Sequence, residues 1–251
     1  MPRKARKQAE SGIYHVMLRG IDRQSIFEDA QDHSFFLEVL QQCREVCGFE
    51  LYAYCLMGNH VHLLLRVKDV GLETIFKRIG GRYVYWYNVK YQRVGHLFQD
   101  RFRSEPVEDD VYFLTVLRYI HQNPVKARVV KRIGDYPYSS YPAYLAQDPT
   151  VDTKFALGML PGEEFIRFNE TPNSDECLEI NQSARRGMPD DRAREIIQKC
   201  SRCKTITEFQ SLEEEKKAQA VRKIYEKGVS IRQISRLTGS TKGLVEKWIK
   251  R

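Results

Sequence analysis

The stretch Phe49-Glu50-Leu51-Tyr52-Ala53-Tyr54-Cys55-Leu56-Met57-Gly58-Asn59-His60-Val61-His62-Leu63-Leu64-Leu65-Arg66-Val67 decides how this chain folds. Two runs of aromatic, aliphatic and β-branched residues flank the turn signal Gly58-Asn59, which predicts strands over 49–56 and 61–67 joined as an antiparallel hairpin. His60 and His62 sit at the bend. A strand repeats every two residues, so both imidazoles point to one side and Val61 to the other. Two neutral imidazoles on one face can hold a metal ion, whereas two polar residues on a solvated strand face is the plainer reading. A third ligand has to decide between them.

Working outward, Ile13-Tyr14-His15-Val16-Met17-Leu18 reads as a first strand ending at Arg19-Gly20, and the apolar spacing of Phe35, Phe36, Val39, Leu40 and Val46 predicts a helix over 29–47. Ile75, Ile79, Tyr83 and Trp86 predict a second helix over 72–91, followed by a loop over 95–104. The acidic Glu108-Asp109-Asp110 suits the first turn of a third helix, which Asn123-Pro124 should close near Gln122. This order implies an α+β domain, a ferredoxin-like antiparallel sheet with helices on one face.

The chain has 251 residues, ample for more than one folding unit, and no apolar run approaches the roughly 20 residues a membrane span needs. Its basic start is not followed by a signal-peptide apolar segment, so the expected location is cytoplasmic and nucleoid-associated, with the six cysteines reduced. Residues 1–183 hold 23 basic against 24 acidic side chains, whereas residues 184–251 hold 18 against 9. A second basic block covers 66–132. Two cationic blocks separated by an acidic one suit a polyanionic partner bound at two surfaces.

The expected organisation is a catalytic domain over 1–145, an acidic linker or wrapping segment over 146–183, and a small all-α, basic domain over 184–251. In the last of these, Ser235, Gly239 and Val245 stand at i, i+4 and i+10 among apolar residues, the spacing of a helix-turn-helix. Ser240, Thr241, Lys242 and Lys247 on its second helix are the candidates for groove or phosphate contacts. In the first domain, Arg19, Arg23, Arg82, Arg93, Phe98, Arg101 and Arg103 interleave cations with aromatics, which is how a single strand is held.

Tyr119 and Asn123 are four residues apart and so share a helix face. A carboxamide oxygen can join two imidazoles around Mg²⁺ or Mn²⁺, and a phenol one turn back can act as a nucleophile.

The segments Tyr54-Cys55-Leu56-Met57-Gly58-Asn59-His60-Val61-His62-Leu63-Leu64-Leu65, Gly95-His96-Leu97-Phe98-Gln99-Asp100-Arg101-Phe102 and Arg118-Tyr119-Ile120-His121-Gln122-Asn123-Pro124-Val125-Lys126-Ala127 lie in order along the chain, followed by Asp135-Tyr136-Pro137-Tyr138-Ser139-Ser140-Tyr141. In these motifs the chain resembles the REP-associated tyrosine transposases, of the single-tyrosine, His-hydrophobe-His superfamily, over about residues 11–145. The resemblance implies a DNA strand transferase with His60, His62 and Asn123 as ligands of a divalent cation and Tyr119 as the nucleophile. It implies as substrate single-stranded DNA with palindromic repeats folded into hairpins, cleaved to a 5′-phosphotyrosine and a free 3′-OH. The expected partners are hairpin DNA, and duplex DNA through the C-terminal helices, with no membrane and a monomeric or homodimeric state. A catalytically inert DNA-binding regulator acting through the helix-turn-helix is the alternative. A nucleotide hydrolase with a His-x-His-x-His cluster lacks its third histidine, because residue 64 is Leu.

Overall fold

The computed structural model describes residues 6–146, 148–175, 177–178, 188, 190–203 and 206–250, and the chain divides into two compact units, Met1–Glu179 and Ile180–Arg251. The expected boundary at 183/184 lies outside the described residues.

The first unit runs β1 (Ile13–Arg19), α1 (Ala30–Cys47), β2 (Glu50–Met57), β3 (His60–Arg66), α2 (Leu72–Lys90), β4 (Arg103–Pro106) and α3 (Asp110–Lys126). All strand pairs are antiparallel, and the sheet order β2-β3-β1-β4 is that of a ferredoxin-like βαββαβ unit. Local chemistry fixes the ends of the first helix. Asp29 and Asp32 form a reciprocal capping box, and Gly48 closes the helix at φ 69° in the left-handed region that glycine occupies without strain. The hairpin turn falls on Gly58-Asn59, as expected, and β3 begins one residue earlier than the sequence suggests, on His60 itself.

Three features differ from the sequence reading. Residues 103 and 104, expected at the end of the loop, instead open an edge strand over 103–106, because pairing with β1 supplies what Arg103-Ser104-Glu105-Pro106 lacks in strand propensity. The third helix continues through Pro124 to Lys126, with the residues after the proline held by Ala127 N donating to Asn123 O and Val129 N to Pro124 O. Helices also cover both faces of the sheet instead of one. Residues of either parity in β1 and β3 are buried, His15 and Leu64 on one face, Val16 and Leu63 on the other. The α3 helix packs on the His62 face, where Tyr52 of β2 meets Phe113 at 5.1 Å between ring centroids. A cleft lined by Tyr14, Val67 and Leu72 shows α2 on the opposite face, and α1 packs against α2.

The segment after α3 wraps this core. Its helices are α4 (Tyr141–Ala146), α5 (Lys154–Met159) and α6 (Glu163–Glu170), and Phe165 is buried against Tyr144 at 4.6 Å. Residues 138–140 run antiparallel to β2, with Leu56 N donating to Tyr138 O and Ser140 N to Tyr54 O.

The second unit contains α7 (Asp190–Ser201), α8 (Ile206–Gln210), α9 (Glu214–Glu226), α10 (Ile231–Thr238) and α11 (Lys242–Lys250). The helix-turn-helix spacing is realised in α10 and α11: Gly239 caps α10 at φ 68°, Ser235 Oγ donates to Ser240 O at 2.7 Å across the turn, and Val245 and Trp248 are buried. No helix among the described residues is long and apolar enough to cross a membrane, and all six cysteines are free.

Candidate active site

Cross-strand partners share a sheet face, so the register fixes what surrounds His62. Reading across the sheet, Arg103 of β4, Met17 of β1, His62 of β3 and Cys55 of β2 form one row, and Arg19 and His60 form part of the next. Above this face lies α3. The Tyr119 ring stands 5.6 Å from the His62 ring and 5.9 Å from that of His15, while the His60 and His62 rings are 5.0 Å apart. The structure therefore brings His60, His62 and Tyr119 together, although Tyr119 is 57 positions along the chain from His62. Asn123 follows one turn later on the same stripe of α3 and is buried.

His15 completes the cluster and was not among the candidates from the sequence. Its Nε2 lies 2.9 Å from Nδ1 of His62, both rings are buried, and burial pushes its pKa down to about 3. The signal that could have found it is parity: His15 and His62 lie on the same face of neighbouring strands. Burial, with help from His15, His60 and Arg19, also holds His62 well below the usual imidazole range. Both histidines are thus neutral near pH 7.

Two of these imidazoles could offer an outer nitrogen to a divalent cation. His60 Nδ1 meets Asn59 Oδ1 at 2.7 Å, which makes Nδ1 the N–H donor and leaves the ring lone pair on Nε2, the form a metal-binding imidazole takes. His62 Nδ1 is likewise engaged, by His15, so its outer nitrogen is Nε2. His60 Nε2 and His62 Nε2, if joined by the carboxamide oxygen of Asn123, would make a mixed N/O set suited to Mn²⁺ or Mg²⁺ more than to thiophilic metals. Lys126, two turns beyond Tyr119, holds its ammonium 5.0 Å from the Tyr119 ring centroid. That ammonium donates to two neutral oxygens, Asn173 Oδ1 at 3.2 Å and Asp175 O at 2.9 Å, while the Asp175 carboxylate pairs with Arg118. The positive charge over the phenol is not cancelled by a direct carboxylate contact from these groups.

The remaining sequence candidates scatter. Arg19 and Arg103 belong to the His62 face. Exposed Arg23 bounds the Gly58-Asn59 turn, where its carbonyl accepts from Asn59 Nδ2 at 3.2 Å. Arg93 lies over Tyr87 and reaches Gln24, and Phe98 pairs with Gly20 and packs towards Tyr83. Arg82 is exposed on α2 beside Cys43 of α1, and Arg101 reaches Glu73 near the start of α2. A spacing of cations and aromatics along the sequence does not put them on one surface, because helices and loops turn them to different sides. In the second unit, Thr241 Oγ1 accepts from Leu244 N, Ser240 Oγ accepts from Thr238, Lys242 pairs with Glu246, and Lys247 is exposed.

Residues 8–123 match the protein family described as transposase IS200-like. Over 144 residues the chain is 29% identical to a protein named as a REP-associated tyrosine transposase in Haemophilus influenzae, a match covering 53% of this chain and 81% of that relative. A solved structure of a REP-associated tyrosine transposase bound to a REP hairpin is similar in fold, with a TM-score of 0.56 at 16% identity over 71% of this chain and 96% of that one.

Proposed function

We propose, on the footing that residues 8–123 match the IS200-like transposases, that this chain cleaves and rejoins single-stranded DNA at palindromic hairpins through Tyr119. The observation that carries this reading is the packing of α3 on the histidine face of the sheet, which stands the Tyr119 ring 5.6 Å from that of His62.

In this reading the Tyr119 oxygen attacks the scissile phosphorus. A P–O bond to tyrosine forms, the P–O3′ bond breaks, the phenol proton passes to solvent, and the departing 3′ oxygen takes up a proton to become a free hydroxyl. The ester keeps the bond energy that hydrolysis would discard, so a 3′-OH can reverse the step and rejoin a strand. The Lys126 ammonium, 5.0 Å from the Tyr119 ring centroid, adds a positive charge beside the nucleophile and the phosphate it attacks. His60, His62 and Asn123 would hold the divalent cation, Mg²⁺ or Mn²⁺, which when bound supplies charge neutralisation at the phosphate oxygens. His15 and Asn59 orient the two imidazoles through their inner nitrogens. Tyr119 is 2% exposed, so the incoming strand has to uncover it.

Hairpin DNA is the proposed substrate, in keeping with the hairpin held by the fold relative. The second unit, whose α10 and α11 form a helix-turn-helix with exposed Lys242 and Lys247, is proposed to add affinity for duplex DNA and to act in the cytoplasm at the nucleoid. The test is a labelled hairpin incubated with the protein and Mn²⁺. A denaturation-resistant adduct is expected, absent in Tyr119→Phe and in the presence of chelator. An adduct that persists in Tyr119→Phe removes the nucleophile assignment, and a wild-type protein that binds duplex DNA but never forms the adduct supports the regulator instead.

A further inference from the structure

A second cationic site lies on the face of the sheet opposite His62. The cleft there, about 720 Å³, is lined among others by Arg6, Lys7, Tyr14, Gly71, Glu73 and Arg101. Among its described lining residues, Arg6, Lys7 and Arg101 are cationic and Glu73 is the one carboxylate. Arg6 and Arg101 both bond to the one carboxylate of Glu73, itself largely exposed, and Lys7 adds a third positive charge at the rim. Arg6 is built in rather than loose. Its guanidinium stacks 3.9 Å from the Phe102 ring centroid, donates to Phe102 O at 3.2 Å, and retains only 22% side-chain exposure. Burial and the charge of Arg101 push its pKa below the ordinary range, and Glu73 offsets this only in part. A pair of guanidinium groups that share one exposed carboxylate among the described residues is suited to receive a further anion.

The backbone adds to this. The α2 helix starts at the cleft on Gly71, an N-cap without a side chain to accept from the first-turn N–H groups, and a Cβ built there meets nothing within 4 Å. The positive end of a 19-residue helix therefore opens onto the same space as the arginines. Arg101 also stands two residues before Arg103, which shares a sheet row with His62, so a strand lying along 101–103 would connect the cleft with the candidate active site.

We propose that this cleft is a phosphate-binding subsite that grips the DNA backbone away from the scissile phosphate, with Arg6 and Arg101 as its paired donors and Glu73 as an internal counter-ion that the phosphate displaces. The proposal rests on the reading of this chain as a DNA strand transferase. It assigns a contact to the backbone and none to a base, so any hairpin sequence serves as a probe.

The test measures binding of a fluorescent hairpin, with and without a ten-nucleotide single-stranded flank, to the full chain over a range of salt concentrations. Each phosphate contact contributes about −0.7 (single strand) to −0.9 (duplex) to the slope of log K against log salt, so Arg6→Gln and Arg101→Gln should each flatten it by about that amount and weaken Kd about tenfold at low salt. Glu73→Gln should act in the opposite direction, tightening Kd about threefold, an outcome that simple loosening of the amino-terminal segment cannot produce. An effect seen only with the flanked hairpin assigns the subsite to the single strand, and an equal effect on both assigns it to the duplex stem. Unchanged slopes in both arginine variants, or weaker binding by Glu73→Gln, overturn the subsite while leaving a Tyr119-dependent adduct untouched. A wild-type chain that binds neither hairpin overturns both readings.

Discussion

Nε2 of His15 lies 2.9 Å from Nδ1 of His62 across the β1–β3 pair, with both rings shut off from solvent. For His62 to offer Nε2 to a metal, its proton must sit on Nδ1 and point at His15, which moves the His15 proton to Nδ1. That atom is buried with no hydrogen-bond partner among the described residues in either tautomer, so its cost of about 1–3 kcal/mol is carried with or without a metal. Replacing His15 by Phe should lower Mn²⁺ affinity by about 10- to 100-fold in calorimetric titration, the usual effect of losing the group that orients a ligating imidazole. Gln in its place should restore part of the affinity, and unchanged binding in His15→Phe would mean that His15 is packing only.

Lys126 places its charge over the Tyr119 ring without a direct carboxylate contact among the groups that hold it. Lys126→Met should slow adduct formation by about tenfold at pH 7.5, while Lys126→Arg keeps most of the rate, in line with the one to two kcal/mol that a nearby charge contributes. Rates measured at saturating hairpin separate this from weaker DNA binding. Equal rates for the Met variant and wild type would remove the electrostatic role.

Among the arginines expected to touch DNA, the sheet register singles out Arg103, which shares a row with His62, and sets apart Arg82, on the other side of the sheet beside Cys43. Arg103→Ala should weaken hairpin binding about fivefold or more, and Arg82→Ala by less than twofold, in equilibrium binding at 0.1 M salt, where a single phosphate contact is well resolved. The reverse order would show that the strand approaches over α2.

His121 on α3 is buried and fully bonded. Tyr54 N donates to Ser140 Oγ, the Ser140 hydroxyl donates to His121 Nε2, and His121 Nδ1 donates to Asn169 Oδ1 of α6 at 2.8 Å. Asn169→Ala removes one acceptor and leaves a buried N–H, so it should cost about 1–3 kcal/mol in urea unfolding without altering the adduct chemistry of the folded fraction. A loss within error would mean that α6 contributes little to holding α3.

His33 is stacked between Phe27 at 4.3 Å and Tyr138 at 3.6 Å, and burial lowers its pKa despite the nearby Asp32 and Asp29. The unfolded chain, with an ordinary imidazole near 6.5, then binds the proton more readily than the folded one. Stability is full above that value and falls as pH drops through it. In a comparison of urea midpoints at pH 7.5 and 5.5, His33→Phe should lose less stability on acidification than wild type. An identical loss would place the acid sensitivity at the other buried histidines.

Much of this was legible in the sequence because it is short-range. The two-residue period put His60 and His62 on one face, the helical period put Tyr119 and Asn123 on one stripe, and Gly58-Asn59 marked the turn between β2 and β3. Gly239 and Val245 foretold the turn and the packing of α10 on α11 by the same logic. Such patterns depend on neighbours within a few residues, whose backbone geometry is nearly the same in any fold.

The tertiary structure alone decided the rest. That α3 covers the histidine face, that β4 adds Arg103 to the row of His62, and that His15 rather than another residue meets His62 all depend on strand register and helix docking between segments roughly 40 to 60 positions apart. A shift of one residue in β1 would keep every local period and turn His15 to the other side of the sheet. The long-range packing of buried apolar side chains on both faces selects one register, and with it the site.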